Sequence, residues 1–171
     1  AAPMAGTAAP GYYRFMLGNF EVTALSDGTM DLPVEQLLQE PAGKTIAALD
    51  NAFLKTPLQI SDNAYLINTG KRLVLVDVGA GDLFGPTLGK LMGNLKASGY
   101  KPEQVDDIFL THMHPDHVGG LSVNRVIQFP NAIVHAERHE AAYWLSQKNL
   151  DGAPDASKGF FQGAMASLNP Y

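Results

Sequence analysis

Three of the five histidines of this 171-residue chain fall within six consecutive positions. They belong to the segment His112-Met113-His114-Pro115-Asp116-His117. In an extended backbone, residues two apart face the same side, so His112 and His114 can present their imidazoles to one cation. Asp116 and His117 follow on a turn that opens the next helix, where we expect them to reach a second cation. Imidazole and carboxylate ligands suit zinc, and also manganese, cobalt or iron.

A plainer interpretation is that these are surface histidines beside an aspartate that caps a helix. The position of the segment argues against it. It directly follows a short apolar strand predicted at 107–111, and α/β folds place ligands at the carboxyl ends of strands. Pro115 also disfavours helix for the residue before it, so the strand cannot pass into helix any earlier. We therefore favour a metal site built at a strand end.

The elements that must position this segment alternate between strand and helix. Apolar, aromatic and β-branched runs predict two strands between 13 and 25 with a break at 17–19, a hairpin of 64–68 and 73–78, and strands at 107–111 and 132–135. Periodicity and Pro or Gly boundaries predict a helical segment before Pro41 and helices at 45–54, 86–98, 136–147 and 157–168. A turn is expected at Asp27-Gly28 and a loop at 149–156. This alternation predicts an α/β fold, in which the run LVLVDV would be a strand buried on both faces.

Composition excludes several classes of function. Hydrophobic residues make up 46% and charged residues 17%, and no apolar run approaches the roughly 18 residues that span a bilayer, so we expect no membrane partner. The net charge is −5 with no basic block, so we expect no nucleic-acid partner. Cysteine is absent, which excludes thiolate ligands from these residues.

The first ten residues, AAPMAGTAAP, are small and mostly apolar. Without periodicity they cannot define a buried face, so we expect residues 1–10 to be a flexible arm. A chain that starts at Ala1 fits an exported protein whose signal was removed, although a trimmed chain would look the same. We therefore expect a periplasmic or secreted location.

The histidine segment resembles the metal-binding signature of the metallo-β-lactamase superfamily, and the similarity extends to the branch that contains the methyl parathion hydrolases. The segments that carry it are Gly11–Arg14, Ala24–Gly28, Leu83–Gly89, Pro102–Asp106, His112–Leu121, Trp144–Gln147 and Ser157–Tyr171. The resemblance implies a di-metal αββα sandwich of two similar halves, with residues 11–171 as the amino-terminal half.

The resemblance also implies roles for individual residues. His112 and His114 would bind one metal, and Asp116 and His117 the other. Asp77, at the end of the LVLVD run, would be an outer carboxylate that steadies the ligands. Three aromatic residues match the family's pocket for an aromatic leaving group: Phe84, Trp144 and Phe161.

The activity implied is hydrolysis of organophosphate triesters such as methyl parathion, with hydroxide bridging two divalent metals as the nucleophile and zinc as the first choice of metal. A lactonase or arylesterase of the same fold is the nearest alternative, because the same metals and pocket serve both. In each case the substrate would be a small neutral ester. No protein nucleophile is required, in agreement with the absence of Cys and of a G-x-S-x-G segment.

The ligand set of the segment is incomplete. Two metals that share a hydroxide need about seven protein ligands, and the segment supplies four. We expect the others to come from a carboxy-terminal half, in the same or a separate chain, and we expect little turnover from these residues alone. A non-catalytic half-chain and a homodimer stay open as alternatives.

Two other patterns suggest different chemistry. The turn Asp77-Val78-Gly79-Ala80-Gly81 resembles the adenosylmethionine-binding loop of methyltransferases and approaches the dinucleotide fingerprint, but bulky Leu83 or Phe84 stands where a third glycine is needed. His135 and His139 have the spacing of a helical metal site but lack the Glu that follows the first His in metalloproteases. We expect these two histidines to be structural or surface residues.

Overall fold

The computed structural model describes residues 2–171 and contains one main sheet. Its strands are β1 (Tyr12–Leu17), β2 (Phe20–Leu32), β3 (Leu58–Asn68), β4 (Leu73–Val76), β5 (Asp107–Phe109), β6 (Ser122–Val123), β7 (Val126–Ile127) and β8 (Ile133–His135). Six of them form the sheet in the order β1-β2-β3-β4-β5-β8, while β6 and β7 form a separate ribbon. Strands β1 to β4 are antiparallel neighbours, and β4, β5 and β8 run parallel. The carboxyl ends of these three strands therefore meet at one edge.

In residues 2–171, seven helices lie between and after the strands. They are α1 (Val34–Leu37), α2 (Ala42–Asn51), α3 (Leu91–Ala97), α4 (Pro115–Val118), α5 (Arg138–Trp144), α6 (Gln147–Gly152) and α7 (Asp155–Leu168), with 3-10 turns at Pro102–Gln104 and Gly119–Leu121. None of the helices in residues 2–171 has the length and apolarity to cross a bilayer. The predicted α/β class is confirmed. Residues 2–10 are exposed and hold no helix or strand, Ala1 lies outside the described residues, and the flexibility of this arm stays a prediction.

The sheet packs its core on one face. Leu66, Leu75 and Ile108 lie side by side in register on β3, β4 and β5, and each is at most 1% exposed. Helices α3, α4 and α7 add further buried side chains to the same core: Leu91, Leu95, Val118 and Ala164. The histidine segment joins the sheet to this layer, because Met113 also belongs to the core.

The opposite face of the sheet is uncovered in the described chain. Tyr65, Val76 and Phe109 lie in register there, and Tyr65 and Phe109 are 45% and 46% exposed. The prediction that LVLVDV is buried on both faces is therefore wrong for these residues, since buried and half-buried positions alternate along β4. No second layer in residues 2–171 covers this face.

The predicted turn at Asp27-Gly28 is wrong, because β2 continues through it with a register shift between Ser26 and Gly28. The glycine serves a close approach instead. A Cβ at Gly28, whose φ is 136°, would lie 2.0 Å from the carbonyl oxygen of Thr87. The loop that carries Thr87 is thereby packed against β2.

Several predicted boundaries also shift. The helix expected from Pro86 begins at Leu91, because Asp27 accepts the Lys90 and Leu91 N–H groups through its carbonyl and its carboxylate respectively. Strand β3 begins at Leu58 rather than at 64, since it pairs with β2 along its whole length. The strand expected at 107–111 ends at Phe109, the helix expected at 136–147 covers Arg138–Trp144, and the loop expected at 149–156 contains α6.

Candidate metal centre

The histidine segment leaves the sheet at the end of β5. The N–H of Leu110 donates to the carbonyl of His135, and the N–H of Thr111 donates to the carboxylate of Asp77 at 2.8 Å. His114 is still extended, with φ −70° and ψ 148°, and Pro115 is the first residue of α4. Because the helix starts there, Asp116 and His117 lie one turn away from the two preceding histidines.

Three imidazoles gather where this turn meets the strand end. The ring centroids of His112 and His114 are 4.6 Å apart, and those of His112 and His117 are 4.0 Å apart. All three residues are half-buried. The spacing argument is thus right about proximity, while the role of these residues as metal ligands stays a prediction.

Asp77 connects this cluster to the sheet. Its Oδ2 lies 2.9 Å from Nδ1 of His117 and accepts a hydrogen bond from the Thr111 hydroxyl at 2.7 Å. The other ring nitrogen of His117, Nε2, lies 3.4 Å from Oδ2 of Asp116. Asp77 therefore makes the contact expected of an outer carboxylate, and it does so from a left-handed conformation with φ 59°, which aspartate tolerates better than most residues.

Charges within the cluster shift its pKa values. Burial would lower the pKa of His117, but hydrogen bonds with Asp116 and Asp77 outweigh burial and raise the pKa to about 10. Burial would raise the pKa of Asp116, but the hydrogen bond and charge of His117 leave it below its usual value. Burial, followed by the nearby His112, lowers the pKa of His114. His114 is therefore poised as a neutral ligand, whereas a cation at His117 must displace a proton.

Asp27 supports the loop beneath the cluster. This residue is 1% exposed, and its carboxylate accepts backbone N–H groups from Ala80, Gly89 and Leu91, each at 2.9 Å. A carboxylate that accepts several backbone N–H groups is well stabilised when buried. Sequence reasoning missed it because its partners are more than fifty residues away.

The glycines of the turn after β4 pack against protein. A Cβ at Gly79 would lie 2.4 Å from the Asp27 carboxyl carbon, and one at Gly81 would lie 2.6 Å from the carbonyl oxygen of Gly119. These contacts explain both glycines without a phosphate or a nucleotide. The methyltransferase and dinucleotide interpretations of this turn are therefore not supported.

Glu140 is a second residue that the sequence did not single out. Its carboxylate accepts the backbone N–H of Met113, between the two histidines, at 3.0 Å. The contact connects α5 to the histidine segment. No motif around Glu140 marks it, because its partner is a main-chain group.

An apolar cavity of about 460 Å³ opens beside the cluster. It is lined by Leu83, Phe84, Pro115, Ala156, Gly159, Phe160, Gln162, Gly163 and Ala166. The ring of Phe160, in the cavity wall, meets the ring of His114 edge-on, with centroids 5.1 Å apart. The cavity therefore adjoins the histidine segment. None of these lining residues is charged.

The three aromatic residues expected in a pocket take different positions. Phe84 lines the cavity, and Trp144 meets the ring of His114 edge-on at 5.0 Å. Phe161 is only 2% exposed and packs against Trp144 at 4.6 Å, behind the cavity wall. Its neighbour Phe160 lines the cavity instead. The substrate-binding role of Phe84, Trp144 and Phe161 stays a prediction.

The remaining histidines lie outside the cluster. His135 is hydrogen-bonded to Asp107 at 2.9 Å and stacks on Phe109. His139 has an 81% exposed side chain and contacts only Glu137 among its carboxylate neighbours. Both have the structural or surface character that was expected because the Glu of the metalloprotease signature is missing.

The His and Asp side chains of the cluster are of the types that bind divalent cations, but they are too few to complete a metal site. Among residues 2–171, no group of three or more His, Asp or Glu side chains is arranged to hold a metal ion. His112 neighbours both His114 and His117, with ring centroids 4.6 and 4.0 Å apart, and the Asp77 contact on Nδ1 of His117 is of the kind that supports a metal-binding imidazole. The pairing that the resemblance implies, His112 with His114 on one metal and Asp116 with His117 on the other, stays a prediction.

Comparison with known proteins identifies a family and similar structures. The family model of the metallo-beta-lactamase superfamily matches residues 60–157. The crystal structure of hydrolase AbOPH in the beta lactamase superfamily is 40% identical and superposes with a TM-score of 0.88, over 96% of this chain and 59% of that one. AidC, a dizinc quorum-quenching lactonase solved with the product N-hexnoyl-L-homoserine, is 26% identical with a TM-score of 0.81, over 94% of this chain and 58% of that one.

A curated relative matches over a shorter stretch. The Beta-lactamase-like protein 2 homolog of Drosophila melanogaster is 41% identical over 61 residues, which are 34% of this chain and 19% of the relative. The chain therefore spans only part of the length of the proteins it resembles. The family model covers more than half of the chain, so the chain belongs to the metallo-beta-lactamase superfamily.

Proposed function

We propose that this protein is a metal-dependent hydrolase of small neutral esters, with organophosphate triesters such as methyl parathion as its preferred substrates. The observation that carries the proposal is the contact between His114 and Phe160. It puts the imidazole of His114, a proposed metal ligand, at the wall of an uncharged cavity. An apolar cavity of about 460 Å³ is suited to an aromatic leaving group and poorly suited to an anion.

His112 and His114 would hold one divalent metal, and Asp116 and His117 a second. Such ions supply Lewis acidity toward the ester oxygen and activate water near neutral pH, with zinc as the first choice. Asp77 orients the imidazole of His117 through Nδ1, which directs Nε2 toward the metal side of the ring. Glu140 fixes the backbone between the two histidines.

The cavity residues position the substrate. Phe84 and Phe160 offer ring faces and edges to an aromatic leaving group, and Leu83 and Pro115 exclude water from the same space. Gln162 is the polar side chain among the lining residues. Without a charged partner for a carboxylate or phosphate, selection favours neutral substrates.

A lactonase or arylesterase activity is the second candidate. AidC supports it, because a lactonase shares the fold over nearly the whole described chain. The uncharged cavity accepts a lactone or an aryl ester as readily as a triester.

We also propose that the remaining metal ligands come from a carboxy-terminal half, in the same or a separate chain. Two observations support the proposal: no three donors among residues 2–171 are arranged to hold a metal ion, and the apolar outer face of the sheet, which includes Tyr65 and Phe109, is exposed. A second layer that covers this face would complete an αββα sandwich. In that case the described residues alone bind metal weakly and turn over little substrate.

The decisive experiment compares three substrates with the zinc-loaded complete protein: methyl parathion, an aryl ester and a lactone. We expect the largest kcat/KM for methyl parathion and loss of all turnover with a metal chelator. His112→Ala is expected to lose one zinc per chain and the activity, whereas His139→Ala, at an exposed site away from the cluster, keeps both. Turnover that survives chelation would contradict the proposal, and a preference for the lactone would replace the triester with the second candidate.

A further inference from the structure

Asp62 is a buried carboxylate that the function described so far does not use. It lies on β3 and is 6% exposed. Within residues 2–171, its Oδ2 is the one buried side-chain oxygen or nitrogen without a hydrogen-bond partner. A buried carboxylate oxygen without a partner is costly, so its retention calls for an explanation.

The sheet places Asp62 next to the candidate metal centre. Alternate residues of β3, Asp62, Ala64 and Leu66, face the core. Tyr65 pairs with Val76, the last residue of β4, so β3 continues alongside the turn that begins at Asp77. On its other side, Asp62 pairs with Gly28, beside Asp27. The side chain therefore lies at the edge where the strands deliver the candidate ligands.

Charge around Asp62 is unbalanced. Burial, together with the carboxylates of Asp27, Asp116 and Asp77, raises the pKa of Asp62 to about 7, while His117 acts in the opposite direction. Four carboxylates thus share the neighbourhood of one cationic side chain. A divalent cation would offset this negative charge.

A purely structural role does not account for Asp62. Asp27, an equally buried carboxylate, accepts three backbone N–H groups. Asp107 is bonded to Arg72 and His135. Asp62 has no such partner for Oδ2, so it contributes no comparable hydrogen bond to the fold.

We propose that Asp62 is a further carboxylate of the metal centre, one that strengthens binding of the cation held by Asp116 and His117. The inference rests on the proposed metal site. The negative charge of Asp62 would act on the cation directly or through one bridging water. In either case, substitution by a neutral residue removes that charge. Asp62 is thus a carboxylate of the centre that comes from β3 rather than from the histidine segment.

The test is a zinc titration of the complete protein in the presence of a competing chelator. The variant Asp62→Asn is compared with the unsubstituted chain and with Asp107→Asn, which removes an equally buried carboxylate from the opposite end of the parallel strands. We expect Asp62→Asn to weaken one zinc site by about 10–100-fold, and Asp62→Ser to do the same. Asp62→Asn is also tested in the His112→Ala background, which retains Asp116 and His117. If zinc binding weakens by the same factor there, Asp62 acts on the cation held by Asp116 and His117.

Stability without metal gives an independent readout. We expect metal-free Asp62→Asn to melt at the same temperature as the unsubstituted chain or higher, because no hydrogen bond is lost, and metal-free Asp107→Asn to melt lower with unchanged zinc affinity. Equal zinc affinities for Asp62→Asn and the unsubstituted chain would overturn this inference alone. An unsubstituted complete protein that binds no zinc would overturn the proposed function and the inference together.

Discussion

Nδ1 of His117 lies 2.9 Å from Oδ2 of Asp77, which ties the first turn of α4 to the end of β4. The same carboxylate accepts the N–H and the hydroxyl of Thr111, directly before His112, the first histidine of the segment. One side chain therefore holds both the strand end at Thr111 and the helix turn at His117. Orientation of a ligating imidazole by a carboxylate is a common requirement of metal sites.

Asp77→Asn is expected to weaken zinc binding by about 10–100-fold, because His117 loses the charge that orients it. The pKa of His117 should also fall from about 10 toward its usual value, since one of its two carboxylate partners is gone. Asparagine tolerates the left-handed backbone at this position, so the fold should persist. Isothermal titration with zinc and NMR titration of the imidazole measure the two effects.

The control for Asp77→Asn is Asp31→Asn, at an exposed position of β2. It removes the same charge from the chain without touching the centre. If the two variants bind zinc equally well, the proposed role of Asp77 in supporting the ligands is wrong.

The sequence was informative where function depends on neighbouring residues. The spacing of His112 and His114 is a local property of extended backbone, and Pro115 sets the start of the next helix. The structure accordingly brings the ring of His112 to 4.6 Å from that of His114 and 4.0 Å from that of His117. Asp77, which ends a recognisable apolar run, was identified through the resemblance to the superfamily.

Residues whose roles depend on distant partners were missed. Asp27 bonds to residues 53–64 positions away, and a local pattern assigned it to a turn. Asp62 lies in a part of β3 that the strand prediction did not reach. Phe160 and Phe161 are adjacent, so only the orientation of α7 decides which one lines the cavity, and a single sequence does not contain that rotation.

The two phenylalanines of α7 should separate stability from substrate binding. Phe161→Ala removes a side chain that is 2% exposed and should lower the free energy of unfolding by about 3–5 kcal/mol. Phe160→Ala removes a half-buried cavity wall and should cost much less stability, but raise KM for an aryl ester. Urea denaturation and steady-state kinetics of the complete protein measure both. Equal stability losses would contradict the assignment of Phe160 to the cavity.

Gly28 should tolerate no side chain. Gly28→Ala would place a Cβ 2.0 Å from the Thr87 carbonyl oxygen at a φ of 136°, and it should lower the free energy of unfolding by about 2–4 kcal/mol. Gly43→Ala, in α2, meets nothing within 4 Å and should leave stability unchanged or raise it by up to about 1 kcal/mol. Thermal melts distinguish the pair, and similar melting temperatures would show that the loop does not pack closely on β2.

The carboxyl of Asp107 should make the stability of the fold depend on pH. Hydrogen bonds from Arg72 and then His135 hold its pKa below the usual 3.8 in the folded chain. A carboxyl with a depressed folded pKa stabilises the fold above its unfolded pKa and loses that contribution as the pH falls through the folded value. We therefore expect Asp107→Asn to be less stable than the unsubstituted chain at neutral pH, with the difference shrinking below pH 3.8.

Urea denaturation of both chains between neutral and acidic pH measures this convergence. Arg72→Gln is the matched variant, because it removes the first partner of Asp107 and leaves the carboxyl in place. With that partner gone, the folded pKa of Asp107 moves up toward its unfolded value, so the acid-dependent part of the stability should be smaller than in the unsubstituted chain. A constant stability difference between Asp107→Asn and the unsubstituted chain at every pH would show that the carboxyl acts through packing rather than through its charge.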